Sequence, residues 1–576
     1  MFSRNHNSKN GKSLLIALLS LFMLATLPAC SDSKKSKGGS EDPSTQPTSS
    51  SGGSSSSGSS SSSNGSSGGS SSGSSSGGTP PPPTPSAVSD LTWTGEVGST
   101  FTFTWTDVSD ATHYKLMENE DGNSGFSQIG QDVQQGNETS LFTVPITQKI
   151  NAQYLIQSCN NNGCTDSSAI STNGDLATLS TFFKASNPEA SDFFGEGAAI
   201  SADGNTVAVF ASSEDSNNQN DPSNNSTSLA GAIYIYSKTN NTWSFQAYLK
   251  APTPDVGHRF GLNLGLSDDG STLITASSYD DTGSADGKLY IYTRVNNSWS
   301  LQDDFDGTAS EKFGQSASIS GDGTVIAVGA VDADKVYVYS FSGASWSLTK
   351  TLTGSNGDGF GEAVALNQDG NILAITEVDE EKVTIVTDTS NWNSSEVLSI
   401  PDAKYDQVDI SNDGLTIALS STKEVVASQS SAGKAWIYKK ENGSWNEKLA
   451  ASAAAPVYNG FGKAIVLNNS ATQFAVNETG NHESTQGFAT SDGSSDDTYS
   501  GAVHKYSLQN DGTWSKTAFI KPNFITPYSA RFGEGLAIDD QGHLLIGTIG
   551  ERSNATNVNG DRTNTSLTAA GAAFLY

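Results

Sequence analysis

The chain has 576 residues, of which 34% are hydrophobic and 16% are charged, and its formal net charge is -30 at pH 7. This length allows several folded domains. An acidic excess of this size argues against nucleic acid as a partner, because the phosphate backbone carries the same sign of charge. It is also the ordinary charge of a well-solvated secreted surface.

The first 29 residues have the features of a secretory signal. Three basic residues precede an apolar stretch over residues 14–27, which is shorter than the roughly 20 residues that a spanning helix needs. The stretch ends at Leu27-Pro28-Ala29-Cys30, which resembles the lipobox of bacterial lipoproteins. That resemblance implies that Cys30 is acylated and becomes the mature N-terminus, and Ser31 after it favours the outer membrane. The alternative is a plain cleaved signal with a chance cysteine.

Residues 30–86 form a predicted tether. They are mostly Ser, Gly, Thr and Pro, and such a composition cannot bury enough apolar surface to order itself. A flexible chain of this length has a root-mean-square reach on the order of 40 Å, and the prolines at 80–83 stiffen its end. We therefore expect a domain that works away from its membrane anchor.

Residues 87–175 are predicted to form a first globular unit built of strands. Apolar and polar residues alternate in Phe101-Thr-Phe103-Thr-Trp105 and in Tyr154-Leu-Ile156-Gln, as in strands with one face toward a core. The segment is similar to a fibronectin type III domain at Trp105, Asp107, Ala111, Tyr114, Leu116, Ala152, Tyr154 and Cys159. That resemblance implies a β-sandwich.

Cys159 and Cys164 flank four turn-forming residues at the tip of a predicted hairpin. A four-residue loop would place the two cysteines opposite each other, at a separation that suits a disulfide. Export to an oxidising compartment favours the bond, which would stabilise the fold by roughly 2 kcal/mol. A redox-active or metal-binding pair is the alternative, but neighbouring His or Cys ligands are missing.

Residues 176–576 repeat one pattern seven times: an aromatic-glycine step, an aliphatic run, an Asp-Gly-type turn and a second aliphatic run. A period of about 50 residues indicates a propeller, solenoid or array. Each repeat has four strand-like pieces, which is the content of a propeller blade. The repeats open at Phe194-Gly195, Phe260-Gly261, Phe313-Gly314, Phe360-Gly361, Tyr405-Asp406, Phe461-Gly462 and Phe532-Gly533.

The seventh repeat ends at Tyr576 with its third strand, so its fourth strand is missing. The segment Thr181-Phe182-Phe183-Lys184-Ala185 aligns with the end of the first repeat's fourth strand, Gln246 to Ala251. We therefore expect the N-terminal segment to complete the last blade and to close the ring, which removes exposed sheet edges.

The repeats resemble FG-GAP repeats, the units of the integrin α-subunit propeller, through their Phe-Gly, Ser-x-Asp-Gly, Tyr-x-Tyr and Trp-Ser elements. The resemblance implies an all-β chain whose seven-bladed propeller has an extracellular or adhesive role. A calcium ion needs about 6 to 8 oxygen ligands. Turns such as Ser201-Ala-Asp203-Gly204 and Ser267-Asp-Asp269-Gly270 hold too few carboxylates to supply them. We therefore expect tight turns there and no cofactor; a calcium site at these turns is the alternative.

Catalytic residues are not identified in the sequence. The histidines after the signal, at positions 113, 258, 482, 504 and 543, come from separate segments, and no Ser or Cys lies in a nucleophile-elbow motif. Two suitably spaced carboxylates among the 61 acidic residues would still suffice for a glycosidase. A secreted polysaccharide hydrolase therefore remains one alternative, and an envelope scaffold without a dedicated ligand remains another.

Three long loops, over residues 211–230, 477–500 and 550–570, share one face and belong to repeats one, six and seven, which ring closure makes neighbours. Loops longer than about 12 to 15 residues are usually functional or disordered. We therefore expect a non-catalytic, monomeric, lipid-anchored surface binding or adhesion protein that takes a protein or glycan ligand on these loops; merely mobile polar loops are the alternative. The expected contact residues are Asp215, Asp221, His482, Phe488, Asp496, Asp497, Arg552 and Arg562.

Overall fold

The computed structural model describes residues 83–172, 176–277, 287–308, 310–355, 357–399, 404–426, 428, 431–453, 460–483, 485–488, 499–524 and 530–576. Within these ranges the chain is all-β, and its helical turns are of the 3₁₀ type, at Ile146–Gln148, Leu176–Leu179, Val331–Ala333 and Asp388–Ser390. No helix in them has the length and apolar character needed to cross a membrane. The predicted signal, Cys30 and nearly all of the predicted tether lie outside the described residues.

The N-terminal unit is a two-sheet sandwich. One sheet has the order β1-β2-β5, and the other has the order β4-β3-β6-β7 with β8 paired to β6. The strands are β1 (Thr92–Glu96), β2 (Thr100–Thr104), β3 (His113–Asn119), β4 (Ser127–Gln134), β5 (Thr139–Thr143), β6 (Gln153–Asn160), β7 (Gly163–Asp166) and β8 (Ile170–Ser171).

The core of the sandwich comes from the alternating residues that the sequence indicates. Phe101 and Phe103 of β2 are fully buried, as are Tyr154 and Ile156 of β6. The ring centroids of Phe103 and Tyr154 lie 4.7 Å apart across the two sheets. Because successive strand residues point to opposite faces, one apolar set per strand is enough to build this core.

The cysteine hairpin is tighter than expected. Cys159 pairs in register with Cys164, and the ladder continues through Asn160 and Gly163, so the loop has two residues where four were expected. Two-residue turns are favoured because their twist matches that of the flanking strands. The sulfurs of Cys159 and Cys164 are bonded to each other.

Seven antiparallel sheets follow in the part of the chain that the structure describes. After β9 (Thr181–Lys184), the first four sheets are β10 (Phe194–Ile200), β11 (Thr206–Ala211), β12 (Ala232–Thr239), β13 (Thr242–Leu249); β14 (Asn263–Leu266), β15 (Thr272–Ser277), β16 (Lys288–Val295), β17 (Ser298–Asp306); β18 (Phe313–Ile319), β19 (Val325–Ala330), β20 (Lys335–Phe341), β21 (Trp346–Thr353); and β22 (Phe360–Leu366), β23 (Ile372–Glu377), β24 (Lys382–Thr387), β25 (Ser394–Ser399).

The last three sheets complete the series, and the seventh also contains β9. Their strands are β26 (Gln407–Ile410), β27 (Thr416–Ser421), β28 (Lys434–Glu441), β29 (Ser444–Ala451); β30 (Phe461–Leu467), β31 (Gln473–Glu478), β32 (Ala502–Leu508), β33 (Trp514–Ile520); and β34 (Leu536–Ile538), β35 (Leu544–Thr548), β36 (Asn557–Val558), β37 (Ala572–Leu575).

The seventh sheet joins the two ends of this region. β9 pairs antiparallel with β37, with Phe183 opposite Ala573 and Phe182 opposite Phe574. This is the pairing that the sequence predicts. The sheet gains one further strand that was not expected, because β36, from inside the predicted loop 550–570, pairs with the outer edge of β9.

The first strand of every one of these seven sheets contributes to the lining of one central cavity of about 250 Å³. Small residues such as Ala198, Ala199 and Gly265 lie there, where the sheets crowd together. Large rings fill the wider space farther out: Phe183 lies 5.0 Å from Tyr236 and 5.2 Å from Trp243, centroid to centroid. Sheets arranged radially around a channel form a β-propeller.

The sandwich and the propeller share one hydrophobic cluster. It contains Tyr154 of the sandwich, Leu176 of the connecting turn, and Phe574 and Tyr576 of the seventh sheet. Polar contacts reinforce it: the side-chain amide of Gln148 donates to the carbonyl oxygen of Gln541 at 2.7 Å. The sandwich is therefore docked onto the sixth and seventh sheets.

Candidate functional site

The long loop of the first sheet, residues 212–231, begins at a buried ion pair. Lys250, just after β13, places its Nζ 2.5 Å from Oε2 of Glu214, and both side chains are at most 2% exposed. The seventh sheet repeats this arrangement, with Lys184 Nζ 2.6 Å from Oε2 of Glu551. Burial lowers the pKa of both lysines, and the attraction of the glutamates opposes that effect. Two of the three long loops are thus fixed at their base.

The loop of the sixth sheet is held by a lysine in the corresponding place. Lys521, just after β33, donates from Nζ to Oδ1 of Asn481 at 2.5 Å and to Oγ of Ser500 at 2.7 Å. Asn481 lies near the start of the loop and Ser500 near its end, so one side chain joins the two. A Glu-x-Ser/Thr step occurs in each long loop, at residues 214–216, 483–485 and 551–553. In the first and seventh sheets its glutamate is the partner of the buried lysine, so the step is a sequence signal for this anchoring.

The segments that connect one sheet to the next hold the three loops side by side through hydrogen bonds. The segment before β10 contacts loop one through the side-chain amide of Asn187, which donates to the carbonyl of Pro222 at 2.8 Å. It contacts loop seven through the amide of Ser191, which donates to the carbonyl of Thr568 at 2.7 Å. Loop six meets the next connection where the amide of Arg531 donates to the carbonyl of Tyr499 at 3.3 Å. We call residues 212–231, 479–488, 499–501 and 549–571 the long-loop sector.

The two predicted carboxylates of loop one have different environments. Asp215 is half-buried, and its Oδ1 accepts the amide of Leu229 at 2.8 Å, which joins the two arms of the loop. Asp221 is exposed, and its Oδ1 accepts the hydroxyl of Ser223 at 2.6 Å. Asp215 therefore shapes the loop, whereas Asp221 faces solvent.

The predicted aromatic residues of loop six pack against neighbours. The ring of His482 lies 4.2 Å from that of Tyr499, and the ring of Phe488 lies 5.7 Å from that of Tyr576. His482 and Phe488 are both half-buried. The predicted Asp496 and Asp497 lie outside the described residues.

Arg562 of loop seven sits within a cluster of aromatic rings. Its guanidinium carbon lies 4.9 Å from the ring of Phe182, 5.1 Å from that of Phe524 and 5.0 Å from that of Phe574. Burial lowers the pKa of the Arg562 guanidinium. Such cation–π packing makes Arg562 a brace between the loop and the closing strands. Arg552 is half-buried, and its carbonyl accepts the amide of Leu567 at 3.0 Å.

Asp192, in the connection before β10, was not predicted. It is 6% exposed, and its Oδ2 accepts the amide of Glu189 at 3.0 Å. Burial raises its pKa to about 7, and the nearby carboxylates of Glu214 and Asp215 add to the effect. The sequence signal that could have identified Asp192 is an Asp two residues before a Phe-Gly step. The same signal recurs at Asp358, whose Oδ2 accepts the amide of Ser355 at 3.0 Å.

The Asp-Gly turns use their own carboxylates. In the second sheet, Oδ1 of Asp269 accepts the hydroxyl of Ser267 at 2.7 Å and the amide of Ser271 at 2.9 Å. The same pattern recurs at Asp322, which accepts the hydroxyl of Ser320 at 2.6 Å. Within the described ranges no group of three or more His, Cys, Asp or Glu residues is arranged to hold a metal ion. These turns are built as hairpins that satisfy their own polar groups.

The second residue of these turns faces the central channel. Asp268 of the second sheet accepts the side-chain amide of Gln368 of the fourth sheet at 2.6 Å, and the side-chain amide of Asn469 of the sixth sheet lies 3.4 Å from Asp268 and from Asp540 of the seventh sheet. Polar side chains from four sheets therefore meet over the channel mouth. Burial raises the pKa of Asp540. Deeper in the channel, burial raises the pKa of Asp409 to about 6. The sequence could not indicate this contact between repeats.

Among the described residues of the propeller, His504 and His543 each lie beside a carboxylate. Nε2 of His504 lies 2.7 Å from Glu478, and Nδ1 of His543 lies 2.7 Å from Asp539. All four side chains are at most 9% exposed. A general base must reach the proton that it abstracts, and these buried pairs are closed to a substrate in solution.

No protein-family model and no curated protein matches the sequence. Many solved structures are similar to the chain, and two of them illustrate the level of likeness. One is named as a 6-phosphogluconolactonase from Bacteroides uniformis ATCC 8492; it is 10% identical, the match covers 72% of this chain and 97% of that one, and the TM-score is 0.41. The other is the β-propeller domain of Cps50 (Swd1) from Myceliophteria thermophila; it is 9% identical, with 66% and 96% covered and a TM-score of 0.41. Likeness at this level carries no argument about function.

Proposed function

We propose that this chain is a lipid-anchored surface binding or adhesion protein that takes a protein or glycan ligand on the long-loop sector. The observation that carries the proposal is the anchoring of the sector. Buried lysines fix the base of all three loops. Polar loops that are merely mobile would not need such support. Loops that are held in place before binding lose less conformational freedom when a ligand docks.

The finer architecture belongs to the same proposal. The propeller is seven-bladed and of the FG-GAP type; its support is the series of seven sheets among the described residues, joined by the β9–β37 pairing. The sandwich is of the fibronectin type III class; its support is the division of its strands into β1-β2-β5 and β4-β3-β6-β7. Both are frameworks that carry ligand sites on their loops.

The anchor and the tether complete the proposed design. Cys30 carries lipid at the outer membrane, and residues 30–86 hold the folded domains away from the surface. The support is the lipobox-like Leu27-Pro28-Ala29-Cys30 and the Ser- and Gly-rich composition that follows. The membrane is thus a partner through the lipid, and the protein acts as a monomer without a cofactor.

An array of glycans and matrix proteins tests the proposal. The mature chain, produced with Ala in place of Cys30 to keep it in solution, is applied to the array and then to fluorogenic glycosides. We expect retention on a defined subset of spots without turnover of the glycosides. Turnover would replace the proposal with the hydrolase, and retention on no spot would contradict it in favour of a scaffold.

A further inference from the structure

Three buried lysines stand in equivalent positions at the ends of strands β13, β33 and β9, in the first, sixth and seventh sheets. The residue before each lysine pairs with the neighbouring strand in the same register: Leu249 with Ile233, Ile520 with Val503, and Phe183 with Ala573. The lysines are Lys250, Lys521 and Lys184, and none is more than 1% exposed. They are matched sites within one protein, so a chemical difference between them is informative.

The partner of the lysine differs in the sixth sheet. In each long loop the partner is the residue whose carbonyl oxygen accepts the amide of a glycine at the end of the loop: Glu214 from Gly231 at 2.9 Å, Asn481 from Gly501 at 3.1 Å, and Glu551 from Gly571 at 3.0 Å. Glu214 and Glu551 present a carboxylate to the lysine, whereas Asn481 presents a carboxamide. A carboxylate repels nucleophiles by its charge. A carboxamide is neutral and can lose its nitrogen as ammonia.

The carboxamide of Asn481 is held against the amine of Lys521. Its Oδ1 accepts a hydrogen bond from Nζ at 2.5 Å. Because a C=O bond is about 1.2 Å long, Nζ lies within about 3.7 Å of Cγ. Reacting atoms that are poised for attack lie about 3 to 3.5 Å apart. A small rotation of the carboxamide therefore brings its carbon within reach of the amine.

A second donor polarises the same carbonyl group. The backbone amide of Glu483 donates to Oδ1 of Asn481 at 3.0 Å. Backbone donors that are fixed at a carbonyl oxygen stabilise the negative charge that develops there when a nucleophile adds to the carbon. Oγ of Ser500 accepts a further hydrogen bond from Nζ of Lys521 at 2.7 Å. Both reactants are thus fixed by neighbours that are not consumed.

The site excludes water and contains a carboxyl group. The exposed fractions are 0% for Lys521, 5% for Asn481, 6% for Glu483 and 7% for Ser500. Glu483 stands where the other two loops carry Ser216 and Ser553, because the Glu-x-Ser/Thr step begins two residues later in loop six. In a buried site the transfer of a proton from an ammonium to a carboxylate removes two charges and is therefore favoured. It also yields the neutral amine that can act as a nucleophile.

We propose that Lys521 and Asn481 become joined by an intramolecular isopeptide bond once the sixth sheet has folded. Nζ of Lys521, in its neutral form, adds to Cγ of Asn481, and the bond between Cγ and Nδ2 breaks. The ammonium of Lys521 gives up two protons in all, and both leave with Nδ2 as an ammonium ion. The carboxyl group of Glu483 carries these protons from Nζ to Nδ2. No oxidant, reductant or external enzyme takes part.

The bond ties the start of loop six to the end of β33, two points that are 40 residues apart in the chain. A covalent link cannot open while the fold is intact, whereas the ion pairs of loops one and seven can. Loop six is therefore the most firmly fixed part of the long-loop sector. The inference concerns how this loop is built, so it stands whether or not the sector binds the ligand proposed above.

Mass spectrometry of tryptic peptides from the mature chain, with Ala in place of Cys30, tests the proposal. Trypsin spares Lys521 because a proline follows it, so Asn481 and Lys521 lie in peptides 464–505 and 517–531. We expect one species that contains both peptides and is lighter than their sum by one ammonia molecule, with fragments that locate the link at these two residues. Recovery of the two peptides as separate species would overturn the proposal. So would a loss of ammonia from peptide 464–505 alone, which indicates a succinimide.

Two variants test the chemistry of the bond. Asn481→Glu is the matched control, because it installs the ion pair of the first and seventh sheets and removes the carboxamide; we expect a folded protein that yields the two separate peptides. Glu483→Gln keeps the size and the backbone amide of the residue but cannot carry a proton. The linked fraction measured soon after synthesis should fall by at least about tenfold in this variant. A link in Asn481→Glu, or an unchanged linked fraction in Glu483→Gln, would contradict the proposed reaction.

Discussion

Lys505 lies where the sandwich meets the propeller, and its burial changes the pKa of its ammonium group. Its Nζ donates to Oγ1 of Thr147 in the sandwich at 2.7 Å and to the carbonyl of Gly542 in the seventh sheet at 2.9 Å. Burial lowers the pKa of Lys505 to about 7, although the nearby Asp539 and Glu120 carboxylates favour the charged form. An ordinary lysine in the unfolded chain titrates near 10.5.

This difference predicts a pH-dependent stability. Between pH 7 and 10.5 the unfolded chain holds a proton on Lys505 that the folded chain has lost, so the stability contributed by this site rises with pH. Below pH 7 both states are protonated, and the cost of burying the charge is fully present. Relative to Lys505→Met, the wild type should gain about 2 kcal/mol from pH 7 to pH 9. Thermal unfolding of both proteins at the two pH values measures the gain, and a constant difference would contradict the assignment.

Glu214 supplies a second prediction at the scale of one residue. Glu214→Gln leaves Lys250 buried without its carboxylate, and loss of one partner of a buried pair costs about 3 to 5 kcal/mol. We expect faster proteolysis within residues 212–231 and a lower unfolding temperature. Glu441→Gln, which breaks a more exposed pair with Lys448, should cost less than about 1 kcal/mol. Equal effects of the two substitutions would argue against anchoring of the loop by the buried pair.

At the scale of elements, β9 and β37 connect distant parts of the chain. β9 lies next to β37 in the seventh sheet, and its Phe182 and Phe183 are almost fully buried. Because β9 precedes all the repeats and β37 ends the last one, their pairing joins residues from opposite ends of the propeller sequence. The sheet that contains β9 is also one of the two against which the sandwich packs.

Removal of either closing strand should destabilise the propeller. Truncation of residues 574–576 uncovers Phe182, which lies opposite Phe574. Replacement of 181–185 by Gly and Ser removes Phe182 and Phe183, whose burial contributes about 3 to 6 kcal/mol, and either change leaves an open sheet edge. We expect a lower midpoint of thermal unfolding for both variants and a smaller change for a cut at the exposed Asn218. Variants as stable as the full chain would show that the ring does not depend on this pairing.

Local sequence patterns predicted the strands and turns, whereas contacts between residues far apart in the chain could not be predicted from them. The Phe-Gly steps and the Asp-Gly turns report alternation and turn chemistry within about ten residues, and their count was enough to predict the β9–β37 pairing. The docking of Gln148 and Lys505 across the sandwich and the propeller joins residues that carry no local signal of contact. The same holds for β36, whose two residues fall inside a polar loop.

The candidate site was likewise predicted only in part. Loop length located the long-loop sector, but the lysine anchors Lys184, Lys250 and Lys521 become visible only when repeats one, six and seven are compared.

At the scale of the whole molecule, the account joins a lipid anchor, a tether and a docked pair of folded units. Cys30→Ser should release the protein into the aqueous phase of a detergent partition, because this substitution removes the residue that we propose to be acylated. The wild type should enter the detergent phase. If both proteins partition alike, the lipid anchor is wrong, and the chain carries only a cleaved signal.

The central claim is that the long-loop sector holds the ligand. The most direct measurement compares the affinity of three proteins for a ligand retained on the array: the wild type, a variant with residues 217–226, 486–498 and 554–566 replaced by short Gly-Ser turns, and a control with residues 278–286 shortened in the same way. The control loop joins β15 to β16 outside the sector. The prediction is that capture is lost only in the first variant, measured at a temperature well below the unfolding midpoints of all three proteins. Undiminished capture by the first variant would contradict it.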